Sequence, residues 1–124
     1  ADGLGALRLD YLRGDRSHEG QLFRRRASLL GDSVHSNPVY VGAPSMQPFA
    51  VTHDGSYDAF YRLHQARRKV VYIGANDGML HAFDASTGIE LFAYVPDALI
   101  GQLHHLTDPA YSHRAYVDGP ASAG

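Results

Sequence analysis

Two turn signals lie inside a run of β-forming residues between Lys69 and Val95, and they restrict this part of the chain to a tight antiparallel meander. Lys69-Val70-Val71-Tyr72-Ile73-Gly74 is rich in β-branched and aromatic side chains, Asn76-Asp77-Gly78 is a hairpin turn, and Met79-Leu80-His81-Ala82-Phe83-Asp84 returns as a second strand. At Ala85-Ser86-Thr87-Gly88 the chain turns again. There Asp84 can accept hydrogen bonds from the backbone ahead of it and Gly88 can take a positive φ, so that Ile89-Glu90-Leu91-Phe92-Ala93-Tyr94-Val95 follows as a third strand. Alternation places Met79, His81 and Phe83 on one face and Leu80 and Ala82 on the other. A meander with two apolar faces and two bare edges is built to stack against neighbours, which is the anatomy of a propeller blade. A blade takes about 40 to 45 residues, so two or three blades' worth is the most this chain can hold, and a closed ring needs more.

The flanks are read more coarsely. Leu4, Leu7, Leu9, Tyr11 and Leu12 follow a partial helical period, weakened by Gly3 and Gly5, that predicts a short helix over Leu4 to Leu12. Arg13-Gly14-Asp15 ends it as a helix C-terminal glycine flanked by charges; the same tripeptide is one that some adhesins present to integrins. A mixed segment from Ser28 to Ser36 leads through Asn37-Pro38 into Val39-Tyr40-Val41, a short strand. Ala43 to Arg68, with Pro44, Pro48 and Gly55, reads as an insertion between strands, and Ser56 to Phe60 is its best helical candidate. Val39-Tyr40-Val41-Gly42-Ala43 and Val71-Tyr72-Ile73-Gly74-Ala75 share a pattern that fits one strand position in two consecutive units, and Ala115 to Pro120 fits the start of a further strand.

Composition excludes several classes of function. A net charge of -2 carries no electrostatic footprint for nucleic acid, and Arg24-Arg25-Arg26 reads as a solvated or internally paired run. With no cysteine there is neither a disulfide framework nor a thiolate metal site. No apolar run reaches the roughly 20 residues of a membrane span.

The 8 histidines do not show metal-site spacing: the only close pair, His104-His105, points apart. His81, among apolar neighbours, reads as a hydrogen-bonded packing residue. His113, with Arg114 and Asp118, reads as a polar network closing the blade. Asp32, Ser33 and His35 are sequence neighbours, not a nucleophile, base and acid assembled by a fold. Asp54 and Asp58 lack intervening oxygen ligands and Asp84 sits in a turn, so all three read as capping or turn chemistry. No catalytic, cofactor-binding or metal residue is assigned.

Leu29-Leu30-Gly31-Asp32-Ser33-Val34-His35-Ser36-Asn37-Pro38-Val39-Tyr40-Val41-Gly42 and Val71-Tyr72-Ile73-Gly74-Ala75-Asn76-Asp77-Gly78-Met79-Leu80-His81-Ala82-Phe83-Asp84-Ala85-Ser86-Thr87-Gly88 closely resemble successive motifs of the PilC/PilY β-propeller family of the type IV pilus system. Tyr11 to Arg16, Leu106 to Arg114 and Tyr116 to Gly119 resemble further landmarks of that family in the same order. The resemblance implies the opening section of a modified propeller with quinoprotein-like blades. It implies a large protein, exported through the periplasm to the outer membrane or pilus tip, that promotes pilus assembly, opposes retraction and contributes to adhesion. Pilus or minor-pilin proteins, and a host surface, are the partners it implies. Family members carry calcium in an aspartate-rich loop; none occurs here, so the ion is expected elsewhere in the longer protein and no cofactor in this segment.

The expectation is a mainly β, incomplete propeller with a short N-terminal helix, acting without catalysis as a protein-interaction scaffold. Residues 1–31 would form a lead-in, 32–68 the first strand and insertion, 69–95 the best-defined blade hairpins, and 96–124 the connection to the next blade. The alternative is a fragment of a PQQ-type quinoprotein dehydrogenase propeller. Against it stands the absence of tryptophan, through which quinoprotein blades lock together and stack on the cofactor.

Overall fold

The computed structural model describes residues 2–45 and 55–123, so the sequence readings at Pro48, His53 and Asp54 fall outside the described residues. In chain order the elements are helix α1 (Gly5–Leu12), strand β1 (Val39–Val41), helix α2 (Gly55–His64), strands β2 (Val70–Ala75), β3 (Met79–Asp84) and β4 (Glu90–Tyr94), a short helix α3 (Asp97–Ile100) and a 3-10 helix (Leu103–Thr107). The strands form one antiparallel sheet in the order β1-β2-β3-β4, so the expected meander gains a fourth strand at its front.

The turns behave as the sequence requires. Gly88 takes φ +73°, and Asp84 Oδ1 accepts from Ser86 N at 2.9 Å and Thr87 N at 3.1 Å. Asp84 Oδ2 accepts from Arg68 Nε at 2.7 Å, tying the approach to β2 onto the end of β3. Pairing of β2 with β3 runs unbroken from Val70 opposite Asp84 to Ala75 opposite Met79. Between β3 and β4 the register shifts at Ala82/Phe83, leaving Phe83 opposite Glu90.

One reading is corrected by this topology. The Val-Tyr-apolar-Gly-Ala segments are not equivalent strands of two consecutive units: β1 pairs directly with β2, Val39 opposite Tyr72. Their likeness has a local cause, since neighbouring strands meet the same alternation of environments. Gly74 is required by close approach, because a Cβ there would stand 2.5 Å from Val117 O and 2.9 Å from Ser36 Oγ. Ala115 to Pro120 likewise does not begin a strand; it folds back over the end of β2, where side-chain bonds rather than a ladder hold it. The helical reading of Ser56 to Phe60 is extended to Gly55–His64, with Tyr57, Phe60 and His64 in ring contact along one stripe.

The tightest apolar packing lies beside the sheet, at the end marked by the β2–β3 turn. Tyr11, Phe23 and Leu106 are each no more than 2% exposed, and the Tyr11 and Phe23 rings meet edge to face at 5.2 Å. Tyr11 Oη donates to Arg24 O, Arg24 N donates to Thr107 O, and Arg8 Nε donates to Thr107 Oγ1 at 3.2 Å. Through this knot α1, the 13–32 segment and the 3-10 helix become one unit, on which Gly78 of the hairpin rests against Leu103 and Leu106. A helix as short as α1, with Gly5 in its first turn, depends on such packing.

The two sheet faces differ in cover. On one, Leu9 and Leu12 of α1 and Met79, His81 and Phe83 of β3 line a cavity of about 600 Å3. On the other, Tyr72 and Phe92 lie 6.3 Å apart across three strands, and Phe92 and Tyr94 remain more than half exposed.

Phe23→Ala is expected to lower the unfolding free energy by about 3–5 kcal/mol, the cost of emptying a packed aromatic site. Chemical denaturation checks this; a loss below about 1 kcal/mol would show that the Tyr11–Phe23–Leu106 cluster is not a core.

Candidate functional site

Three polar clusters lie toward the hairpin end of the sheet, two of them built on the Asn76–Gly78 turn. The first centres on Asn76, only 3% exposed. Its backbone N–H donates to Asp32 O at 2.9 Å, its Nδ2 donates to Asp32 Oδ2 at 3.0 Å and more weakly to Asp118 Oδ2 at 3.4 Å, and its Oδ1 accepts from Tyr116 N at 3.0 Å. One buried amide therefore joins three distant stretches of chain. Asp118 completes the clasp: its Oδ1 accepts from the successive backbone amides of Val34, His35 and Ser36, and its Oδ2 lies 3.0 Å from His35 Nδ1. Consecutive N–H groups aimed at one oxygen form an anion nest, filled here by the protein's own carboxylate. The His35 backbone bond is the largest influence on Asp118, and, with the His35 ring and Asn76, it outweighs desolvation and holds the carboxyl well below the usual carboxylate range.

The network read from His113, Arg114 and Asp118 is thus divided differently. His113 Nε2 lies 2.9 Å from Asp32 Oδ2, while Asp118 takes His35. The reason is positional: the chain bends between them, so that each aspartate meets the histidine of the other segment. Asp32 is held below its ordinary value chiefly by Asn76, with His113 adding to the effect against a desolvation penalty. Ser33 Oγ donates to Ser36 O and takes no part with either histidine, so Asp32, Ser33 and His35 are kept apart as a chemical unit.

The second cluster is His81, a buried, hydrogen-bonded packing residue as its apolar setting predicts. Its Nε2 faces both oxygens of Asp77 at 3.0 and 3.1 Å, and its Nδ1 lies 2.6 Å from Glu90 Oε1. Burial alone would depress the ring's pKa, but the bonds to Asp77 and Glu90 prevail and raise it above 6.5.

The third is built on the arginine run, of which Arg24 and Arg26 are internally engaged while Arg25 is exposed. Arg24 Nε donates to Leu106 O at 2.7 Å with its guanidinium 4.0 Å from the Tyr111 ring centroid. Arg26 lies 3.6 Å over the Tyr11 ring, pairs with the equally buried Glu19 at 2.7 Å, and donates to Tyr11 O and Asp15 O. Arg13-Gly14-Asp15 ends α1 as read: Arg13 is the C-cap and is exposed, and both Asp15 oxygens are taken by Ser17.

Calcium chemistry does not fit Asp58 or Asp84, the two singled-out aspartates among the described residues. Asp58 pairs with Arg62 at 2.9 Å and Asp84 is filled by two amides and Arg68, so each carboxylate faces donors where a cation would need further oxygens. Among the described residues no group of three or more His, Cys, Asp or Glu is arranged to hold a metal ion, and no helix is long and apolar enough to cross a membrane.

A four-stranded antiparallel meander on tight turns, with no further strand on either edge among the described residues, has the form of a β-propeller blade. The chain belongs to the PilY1 β-propeller domain family, whose model matches residues 30–122. It is 48% identical over 95% of its length to a type IV pilus biogenesis factor PilY1 homolog of Xylella fastidiosa (strain Temecula1), and covers 10% of that protein. To the type IV pilus biogenesis factor PilY1 of Pseudomonas aeruginosa (strain PAK) it is 43% identical over 96% of its length, covering 11% of that protein. The chain thus spans about a tenth of the length of these curated relatives. No solved structure matches it.

The clasp is not legible in the sequence: Asn76 reads there as turn chemistry, and nothing local reveals that its amide reaches Asp32 and Tyr116. The available signal is the order of the Asp32–Ser36, Asn76–Gly78 and Tyr116–Gly119 motifs along the chain, which meet in space.

Asp118→Asn is expected to lower the thermal midpoint at neutral pH. Because Asp118 is depressed on folding, its contribution is present above the ordinary carboxylate value of 3.8 and lost as pH falls through the folded-state value. The variant should therefore show a shallower loss of midpoint on acidification than the parent; parallel acid limbs would remove Asp118 from this role. A calorimetric calcium titration of this segment is expected to show no saturable micromolar site, and such a site would overturn the assignment of Asp58 and Asp84 to pairing and turn chemistry.

Proposed function

We propose that this segment is a non-enzymatic propeller scaffold of a type IV pilus protein, working by protein–protein contact in pilus biogenesis. The observation that carries the reading is the sheet itself: Tyr40, Phe92 and Tyr94 are each more than half exposed on a blade whose outer strands have no further partner among the described residues. Such surfaces belong to an interface. Family membership adds the biology, since the relatives are named as pilus biogenesis factors. It also favours this reading over a quinoprotein dehydrogenase fragment.

Partners would be pilus or minor-pilin proteins, with a host surface as a further candidate, and the site of action would be the pilus tip or outer membrane after export through the periplasm. Control of retraction and attachment would belong to the assembled protein. The polar groups act as structural ties, His35, His81 and His113 each being engaged by carboxylates that also accept from other parts of the fold. Calcium, on this reading, acts through another part of the longer protein.

Blades stabilise one another by burying facing sheets. The 124-residue chain by itself is therefore expected to self-associate and to melt broadly, whereas a longer chain carrying the following residues of the propeller should be monomeric and melt cooperatively. Light scattering and thermal melting of the two compare these directly. A cooperative, monomeric 124-residue chain would be a complete domain and would refute the excised-propeller reading.

A further inference from the structure

His81 is 6% exposed and stacks on Phe83, ring centroids 5.9 Å apart. Each ring nitrogen faces a carboxylate, Nε2 facing Asp77 and Nδ1 facing Glu90. A neutral imidazole has one N–H and donates to only one of them; an imidazolium donates to both. The two carboxylates are not held alike. Asp77 is fixed by the backbone, its Oδ2 accepting from Gly31 N at 2.7 Å and its Oδ1 from Met79 N at 3.2 Å. The Glu90 side chain is 47% exposed and stands at the first residue of edge strand β4. There the ladder is irregular, because the register shift falls between Ala82 and Phe83, next to the Phe83–Glu90 pair. The His81–Glu90 bond thus fastens the strand where backbone pairing is weakest.

We propose that His81 is a proton-operated latch: as an imidazolium it pins the start of β4 to the β2–β3 turn, and on losing its proton it keeps Asp77 and releases Glu90. The charged groups around it are Asp77 from that turn, Glu90 from β4 and, lining the same cavity, Arg13 at the end of α1. The two carboxylate bonds overcome burial and raise the ring's affinity for its proton. The latch is therefore fully closed below pH 6.5, the ordinary histidine value, and opens as pH rises through the raised folded-state value. Opening frees the backbone of an edge strand, the part of a sheet most able to accept an added strand. This inference stands apart from the pilus reading, since it concerns only the closure of the sheet.

Hydrogen exchange read by mass spectrometry on the intact protein that carries this segment, corrected for intrinsic rates, tests it. Exchange at the histidine C2 position in the same experiment reports when His81 titrates. In the parent, protection of the Glu90–Tyr94 amides should fall about tenfold or more as His81 loses its proton, the size of one charge-assisted hydrogen bond, while Val70–Ala75 stays constant. In Glu90→Gln the new amide can donate to a neutral Nδ1 while Nε2–H keeps Asp77, so protection of β4 should not change with pH. His81→Phe has no N–H for either carboxylate and should leave β4 weakly protected throughout. A parent whose β4 protection stays level while His81 titrates, or a Glu90→Gln variant that follows the parent's fall, would overturn the latch.

Discussion

Asn76 and Asp118 hold together what the chain separates. A buried primary amide with both donors and its acceptor engaged is stabilising, whereas the same amide left without partners in a low-dielectric setting is costly. Asn76 meets that condition only when Asp32, Tyr116 and Asp118 are all in place. Asp118 is under the same constraint, because the nest of Val34, His35 and Ser36 amides needs an anion and the carboxylate needs donors. The approach of Val117 and Ser36 to Gly74, too close for any side chain, follows from this closure.

Around that clasp the fold distributes its apolar surface unevenly. The Tyr11–Phe23–Leu106 knot is as dry as a protein interior, while Phe92 and Tyr94 on the sheet are not. This is the pattern of a unit whose terminal packing is internal and whose broad faces are made for neighbours. Arg24 and Arg26 turn inward in the same way, onto carbonyls, aromatic rings and Glu19 inside the knot, which leaves Arg25 as the exposed member of the run.

The histidines show how position decides chemistry. His35 and His113 lie near the surface, each joined to an aspartate of a distant segment, and act as ties. His81 has two acidic partners and little water, so its proton is part of the structure. His35 and His113 each give one ring nitrogen to an aspartate, whereas both ring nitrogens of His81 face carboxylates.

The sequence by itself determined the strands β2, β3 and β4, their turns at Gly78 and Gly88, the short strand Val39–Val41, the helix α1 and the family, since these rest on local periodicity, turn chemistry and ordered motifs. It also placed His81 correctly among packing residues. Only the tertiary structure decided that β1 and β2 are neighbours in one sheet, that Asp32 takes His113 while Asp118 takes His35, and that residues 103–118 fold back on α1 and the hairpin end. Those choices depend on partners as many as 99 residues apart in the chain, as in the Arg8–Thr107 bond. A local pattern carries the conformation of a segment; which distant donor satisfies a buried acceptor is settled only when the chain has closed around both.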